Sequence, residues 1–113
     1  MLRIYHNARC RKSREGLQIL QESGKDFETR EYLKEPLSEK ELSKLIGKIG
    51  IKPAKLVRKN ETIWKESYKG KDLSDSEIIK AMVENPKLIE RPIVETENEA
   101  VIGRPPSNIQ KLL

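Results

Sequence analysis

The chain has 113 residues, of which 36% are charged and 35% hydrophobic, and it carries a net charge of +5. This length suits one domain and is too short for two ordinary ones, and the composition is polar but still able to build a small core. The longest apolar run is far too short to cross a membrane, and the five aromatic residues form no stripe interleaved with cations, so neither a membrane nor a nucleic acid is an expected partner.

The first third of the chain has the pattern of a strand, a helix and a second strand. Residues 2–5 (LRIY) predict a short strand, and residues 26–33 (DFETREYL) predict another. Between them, residues 11–23 predict a helix that Gly24 ends. Because a helix that joins two strands in this way crosses over the sheet, the two strands are expected to be parallel.

The middle of the chain carries the same helix-start signal twice. Ser38 and Glu41 form a capping box, in which each side chain accepts a hydrogen bond from the other residue's backbone N–H. Ser74 and Glu77 repeat this pattern. We therefore predict two helices, the first ended by a glycine and the second by an Asn-Pro dipeptide. The intervening residues 53–69 predict short helices and turns.

The last part of the chain returns to short strands. Residues 92–96 (PIVET) and 99–103 (EAVIG) predict a hairpin around a tight turn that contains Asn98, a residue that tolerates a positive φ. Residues 105–113 predict a short final helix whose isoleucine and leucines face inward. The hairpin adds two antiparallel strands to the parallel pair at the start of the chain.

The predicted elements combine into one sheet. Their order is β-α-β, then a helical block, then β-β-α. This order predicts an α/β fold with a mixed four-stranded sheet flanked by helices, in the thioredoxin-like topology. We predict a single domain over residues 1–113, with a helical insert at about 36–88.

Cys10 is the only cysteine, and it lies in the stretch HNARCRKSR between the first strand and the first helix. There the sulfur is near unpaired N–H groups and the positive end of the helix dipole, which lower the pKa of a thiol and make it nucleophilic. The alternative is a buried, inert cysteine, but an apolar site would not surround it with cations. Four cations lie close in sequence: Arg9, Arg11, Lys12 and Arg14.

A lone cysteine also excludes several kinds of site. It allows no internal disulfide, and LRIYHNARC is too short and charged for a signal peptide, so we expect a cytoplasmic protein. One cysteine and the single His6 cannot supply the usual zinc ligands, so no metal is expected. His6 is expected either to tune the thiol or to cap the loop. Phosphatase-type loops place an arginine where this chain has Gly16.

Three arginines outside this loop adjoin structural landmarks, although an isolated arginine is usually a solvated surface residue. Arg58 lies between predicted helical pieces, Arg91 precedes Pro92 at a strand entry, and Arg104 follows a strand. Thioredoxin-like folds commonly place a cis proline at this strand entry, so Pro92 is a cis candidate that would hold Arg91 beside Cys10. The predicted hairpin brings Arg104 to the same end. Planar guanidinium groups suit a tetrahedral oxyanion.

Taken together, these motifs resemble the glutaredoxin-coupled arsenate reductase family along nearly the whole chain. The resemblance implies an oxidoreductase of arsenic detoxification in which Cys10 attacks arsenate to form a covalent arseno-cysteine. It implies that the oxyanion is bound by three arginines, Arg58, Arg91 and Arg104. The matching residues are HN (6–7), Cys10, SR (13–14), LVRKN (56–60), RPIV (91–94) and GRPP (103–106).

The same resemblance implies the electron source and the supporting residues. Glutathione is the co-substrate that attacks the adduct, glutaredoxin resolves the mixed disulfide, and no cofactor stays bound to the protein. Residues that bind substrate or tune the thiol are His6, Asn7, Ser13 and Arg14. Many members of that family read HNPxCGTSR in the first loop. This chain departs from that pattern at Ala8, Arg11 and Lys12.

Two other functions stay open on the sequence. A C-x-x-S pattern and a basic patch are also compatible with a general glutathione-dependent thiol oxidoreductase. The wider family contains Spx-type regulators that bind RNA polymerase without catalysis, but these typically carry a C-x-x-C pair, which Ser13 interrupts here. A monomer is the default expectation for a small and highly charged domain.

Overall fold

The computed structural model describes residues 2–113, which divide into two compact units. The first unit combines the residues up to Glu35 with Arg91–Leu113, and the second is Pro36–Glu90. The helical insert predicted at about 36–88 falls in the second unit, while the single domain over 1–113 stays a prediction. No helix within residues 2–113 has both the length and the apolar character that crossing a membrane requires.

The first unit contains four strands in one sheet. They are β1 at Leu2–Tyr5, β2 at Phe27–Arg30, β3 at Ile93–Glu95 and β4 at Ala100–Ile102. Their order is β2-β1-β3-β4, with β1 parallel to β2 and antiparallel to β3, and β3 antiparallel to β4. This mixed four-stranded sheet confirms the predicted α/β fold class.

Two helices pack with this sheet. Helix α1 spans Arg11–Ser23 and ends at Gly24, whose φ of 73° is the left-handed conformation that glycine adopts without steric cost. The final helix, Pro106–Leu112, is a 3₁₀ helix. Both contribute to an apolar core with alternate residues of β1 and with β3. The buried members of this core are Leu2, Ile4, Leu20, Val94 and Ile109.

Residues of β1 and β3 whose side chains alternate with those of this core form a buried polar contact. The phenol of Tyr5 donates a hydrogen bond of 2.6 Å to Glu95, and Arg3 lies 3.4 Å from the same carboxylate. Burial, together with the hydrogen bond to Glu95, raises the pKa of Tyr5 to about 12. The contact joins residues that are far apart in the sequence but paired in the sheet.

The second unit is helical. It contains α2 at Glu39–Ile49, α3 at Thr62–Ser67 and α4 at Asp75–Glu84. Both predicted capping boxes are confirmed, since Ser38 accepts from the N–H of Glu41 at 3.1 Å while Glu41 accepts from the N–H of Ser38 at 3.0 Å, and the pair at the start of α4 does the same. Short 3₁₀ turns lie at Pro53–Lys55 and Pro86–Leu88.

Two details differ from the sequence prediction. Strand β2 ends at Arg30 and not at residue 33, because its pairing with β1 ends at the hydrogen bond from His6 N–H to the Arg30 carbonyl and the chain then turns. Among residues 2–113, no residue other than glycine has a positive φ, so Asn98 in the β3–β4 turn does not have one. The hydroxyl of Thr96 closes that turn instead by accepting the N–H of Glu99 at 3.1 Å.

Candidate active site

Cys10 is the residue that caps the start of α1. Its backbone is extended (φ −93°, ψ 123°), its N–H donates to the Asn7 carbonyl at 2.9 Å, and its carbonyl accepts from the N–H of Arg14 at 3.0 Å. The side chain is partly buried. The first turn of the helix contains no acidic residue. The sulfur therefore lies where the helix presents unpaired N–H groups, as the sequence predicted.

The surroundings of Cys10 favour its ionised form. Burial alone would raise the pKa of the thiol. The backbone N–H of Ser13, the guanidinium of Arg91 and the backbone N–H of Lys12 act in the opposite direction, and together they bring the pKa of Cys10 below its ordinary value. The net result is a more nucleophilic sulfur at neutral pH.

The β3–β4 hairpin brings Arg91 and Arg104 to the same end of the sheet. Ile93 is paired with Ile102, so Arg91 and Arg104 lie opposite each other just beyond the strands. The Arg104 Nε donates to the Arg91 carbonyl at 2.7 Å, and its Nη2 lies 3.7 Å from the Cys10 sulfur. The Nε of Arg91 is buried and has no hydrogen-bond partner among residues 2–113. Two of the three predicted arginines thus lie beside the thiol.

Pro92 holds the centre of this arrangement. The peptide bond that precedes it is cis, the form for which the sequence made it a candidate, and the bond between Arg104 and Pro105 is cis as well. A side chain added at Gly16 or at Gly103 would place its Cβ 2.8 Å from Pro92 Cγ. Both glycines are therefore required by close packing. This role was not predicted from the sequence, although a glycine inside a helix is a signal of close approach.

His6 and Ser13 form a buried pair behind the loop. The Ser13 Oγ lies 2.7 Å from His6 Nδ1 and also accepts the N–H of Asn7 at 2.9 Å. Burial lowers the pKa of His6, Arg14 adds to this effect, and the opposing influence of Glu31 and of the Ser13 backbone does not reverse it. His6 is consequently neutral at pH 7. It orders the loop and adds no positive charge beside the thiol.

Asn7 and Arg14 shape the loop through its backbone. The Asn7 Oδ1 accepts the N–H of Arg9 at 3.0 Å, which is a local turn of the kind asparagine side chains commonly make. The Arg14 Nη1 donates to the Ala8 carbonyl at 2.9 Å. Both side chains therefore hold the chain just before Cys10 in place.

The departures from the family loop pattern lie at its outer side. Arg11 and Lys12 are exposed and pair with Glu15 at 3.2 and 3.7 Å. What Lys12 contributes to the thiol is its backbone N–H, which any residue other than proline would supply. The replacement of the usual Gly-Thr dipeptide thus leaves the backbone donors of the loop intact.

Arg58 belongs to the second unit, where it faces two carboxylates. Its Nη1 lies 3.4 Å from Glu61, and its Nε lies 3.3 Å from Glu90. A short backbone pairing supports this geometry, since the Arg58 N–H donates to the Leu88 carbonyl at 2.7 Å and the Glu90 N–H donates to Leu56 at 2.9 Å. The sequence analysis did not identify either carboxylate. The role of Arg58 toward an oxyanion stays a prediction.

These contacts define what the site can do. A thiolate with guanidinium groups beside it can attack an electrophile that carries oxygen anions, because arginine neutralises and orients such oxygens. Within the described residues 2–113, no cluster of three or more His, Cys, Asp or Glu side chains could hold a metal ion.

Comparisons with known proteins agree with this chemistry. The family model described as the ArsC family matches residues 5–112. The chain is 38% identical to the arsenate reductase of Haemophilus influenzae over 97% of each protein, and 42% identical to the uncharacterized protein YfgD of Escherichia coli K12 over 99% of this chain and 96% of that protein. The solved arsenate reductase from Vibrio cholerae is 39% identical with a TM-score of 0.95, over 99% of this chain and 97% of that one.

Proposed function

The chain belongs to the ArsC family, and on this premise we propose that it is an arsenate reductase whose Cys10 thiolate attacks arsenate. Glutathione and glutaredoxin supply the electrons. The observation that carries the proposal is the partly buried thiol whose sulfur lies 3.7 Å from the Nη2 of Arg104, with Arg91 helping to lower the pKa of Cys10. A buried cysteine with only a structural role is inert and does not require a guanidinium group beside its sulfur.

In the first step, the sulfur of Cys10 forms a bond to arsenic. One arsenic–oxygen bond breaks, and that oxygen leaves as water with protons from the solvent. Arg91 and Arg104 bind the remaining oxygens and neutralise the charge that gathers on them, which stabilises the transition state more than the ground state. The loop that His6, Asn7, Ser13 and Arg14 hold in place keeps the sulfur aligned for this attack.

In the second step, the thiolate of glutathione attacks the Cys10 sulfur. A sulfur–sulfur bond forms, the sulfur–arsenic bond breaks, and its electron pair stays on arsenic, which passes from the +5 to the +3 state and leaves as arsenite. Glutaredoxin then takes the glutathionyl group by thiol–disulfide exchange and restores the Cys10 thiolate. The chain has one cysteine, so the resolving thiol comes from another molecule.

The proposal also gives Arg58 a role in binding an arsenate oxygen. Glu61 and Glu90 hold its guanidinium through Nη1 and Nε, which leaves the Nη2 donors for an arsenate oxygen. The protein acts in the cytoplasm, because repeated turnover needs the reduced glutathione pool of that compartment, and it acts as a monomer. No bound cofactor, nucleic acid or membrane takes part.

Arsenate reduction by the purified protein tests the proposal. With glutathione, glutaredoxin and a system that recycles oxidised glutathione, the protein should turn over arsenate, and Cys10→Ser should abolish turnover because a hydroxyl cannot carry out the redox step. Arsenate should also slow the alkylation of Cys10 by iodoacetamide. A folded protein that reduces no arsenate and whose alkylation is indifferent to arsenate would exclude the proposed function.

A glutathionylated peptide distinguishes this enzyme from a general thiol oxidoreductase. The arsenate reductase should release little glutathione from the peptide. Fast release that Arg58→Ala and Arg104→Ala leave unchanged would instead indicate the general oxidoreductase, since that reaction has no oxyanion for the arginines to bind.

A further inference from the structure

We infer that a groove beside the Cys10 loop binds the peptide part of glutathione. This inference rests on the proposed use of glutathione as electron donor. The groove is a cavity of about 330 Å³ lined by residues of the first unit, among them His6, Arg9, Glu31, Leu33 and Lys34. A cavity of this size is in the range of pockets that bind small ligands.

The groove lies beyond the carboxyl ends of two parallel strands. One wall is the loop that follows β1, and the other is the turn that follows β2, closed by the hydrogen bond from Lys34 N–H to the Glu31 carbonyl at 2.9 Å. The last contact between the strands, from His6 N–H to the Arg30 carbonyl, joins the two walls. Crevices at this end of parallel strands are common ligand sites in α/β proteins.

The charges of the groove match those of glutathione. Arg9 and Lys34 contribute two positive charges and Glu31 one negative charge, whereas glutathione at neutral pH carries two carboxylates and one ammonium group. Lys34 and Glu31 lie 3.6 Å apart with their side chains 77% and 44% exposed. Exposed pairs of this kind contribute little stability, so both side chains are available to a ligand.

The groove also offers an apolar contact close to the nucleophile. Leu33, one of the two large hydrophobic residues exposed in residues 2–113, lies in its lining and is 38% exposed. Arg9 directly precedes Cys10, whose N–H closes the turn onto Asn7. A tripeptide spans about 10 Å when extended. A glutathione molecule that contacts Arg9 is therefore bound on the loop that carries Cys10.

Titration with S-methylglutathione, followed by the backbone amide signals in NMR, tests the groove. This analogue keeps all three charges but has no free thiol, so its binding does not depend on arsenate reduction. The amides of residues 6–9 and 31–34 should shift in a saturable way. Lys34→Glu should weaken binding about tenfold, because a favourable charge contact becomes repulsive. Lys25→Glu, a matched reversal of an exposed lysine just before β2, should change it less than twofold.

Esterified S-methylglutathione, with both carboxylates blocked, checks that the carboxylates are what Lys34 binds. It should bind wild type weakly, and Lys34→Glu should weaken it no further. Lys34→Gln is a milder variant if Lys34→Glu fails to give a folded amide spectrum. Shifts confined to the surroundings of Pro92, or binding that Lys34→Glu and Lys34→Gln leave unchanged, would overturn the inference. Binding at the groove without any arsenate turnover would support the groove and refute the proposed function.

Discussion

The arginines beside Cys10 in the first unit and Arg58 in the second unit have opposite kinds of partner. In the first unit, Arg104 donates to the Arg91 carbonyl and to the Cys10 sulfur. In the second unit, Arg58 faces the carboxylates of Glu61 and Glu90. A thiol gains from a neighbouring guanidinium only when it ionises, whereas a carboxylate is already charged at neutral pH. The first unit therefore uses its arginines to create a nucleophile, and the second holds a guanidinium whose charge is balanced.

The largest effect should come from removing any one of the three arginines. Arg91→Ala, Arg104→Ala and Arg58→Ala should each lower kcat/KM for arsenate roughly tenfold to a hundredfold, because a hydrogen bond to a charged group contributes about 1.5–3 kcal/mol. Arg91→Ala and Arg104→Ala should also raise the pKa of Cys10, whereas Arg58→Ala should not, since Glu61 and Glu90 already balance the charge of Arg58. The pH dependence of iodoacetamide alkylation measures that pKa.

Lysine substitutions serve as the control for this comparison. Arg91→Lys should restore part of the low pKa of Cys10 but only part of the turnover, because lysine keeps the charge and loses the planar donor geometry. If Arg58→Ala raised the pKa of Cys10 as much as Arg91→Ala, the distinction between the two units would be wrong.

The next effect concerns side-chain packing inside each unit. Gly103→Ala should destabilise the protein by about 2 kcal/mol, because the new Cβ would lie 2.8 Å from Pro92 Cγ and 3.0 Å from Ile109 Cδ1. Gly47→Ala in α2 is the matched control, since its Cβ meets no atom within 4 Å and should stabilise the helix by about 0.5–1 kcal/mol. Urea denaturation measures both. Equal effects of the two substitutions would contradict the packing role of Gly103.

A smaller effect is expected at the helix caps of the second unit. Ser38→Ala and Ser74→Ala should each cost about 1 kcal/mol of unfolding free energy, because each serine accepts the N–H of the glutamate three residues on. The alkylation profile of Cys10 should stay unchanged in both variants. A shift of that profile would show that the thiol depends on the caps of the second unit.

The smallest effect is a pH dependence that belongs to the first unit. The folded protein lowers the pKa of His6 from its ordinary value of 6.5, so below that pH the unfolded chain binds the proton more readily. The stability that His6 contributes is therefore present above about pH 6.5 and is lost as the pH falls through the folded pKa. His6→Gln should reduce the difference in urea stability between about pH 7.5 and about pH 5.5. An unchanged difference would show that His6 does not titrate with unfolding.

Elements that depend on neighbours in sequence could be predicted closely. The two capping boxes join residues three apart, and Gly24 ends α1 through its own backbone conformation, so a short stretch of sequence contains all the interacting groups. The hairpin was predictable for the same reason, and its register brought Arg91 opposite Arg104. The position of Cys10 at a helix start followed from these elements.

Contacts between distant residues could not be predicted in this way. Gly16 and Gly103 both pack closely against Pro92 and Ile109, Tyr5 donates to Glu95 ninety positions away, and β2 ends where its neighbour stops pairing. Nothing in the spacing of Arg58 predicted that it would face Glu61 and Glu90.

The sequence by itself determined where helices and strands begin, and that one thiol would lie among cations. Only the tertiary structure decided which donors face the sulfur, with Arg104 Nη2 at 3.7 Å, and that His6 is neutral behind it. The physical reason is the distance along the chain over which each interaction acts. Helix caps and turns act over a few residues, whereas burial and the field at the sulfur are set by groups that the folded chain brings together.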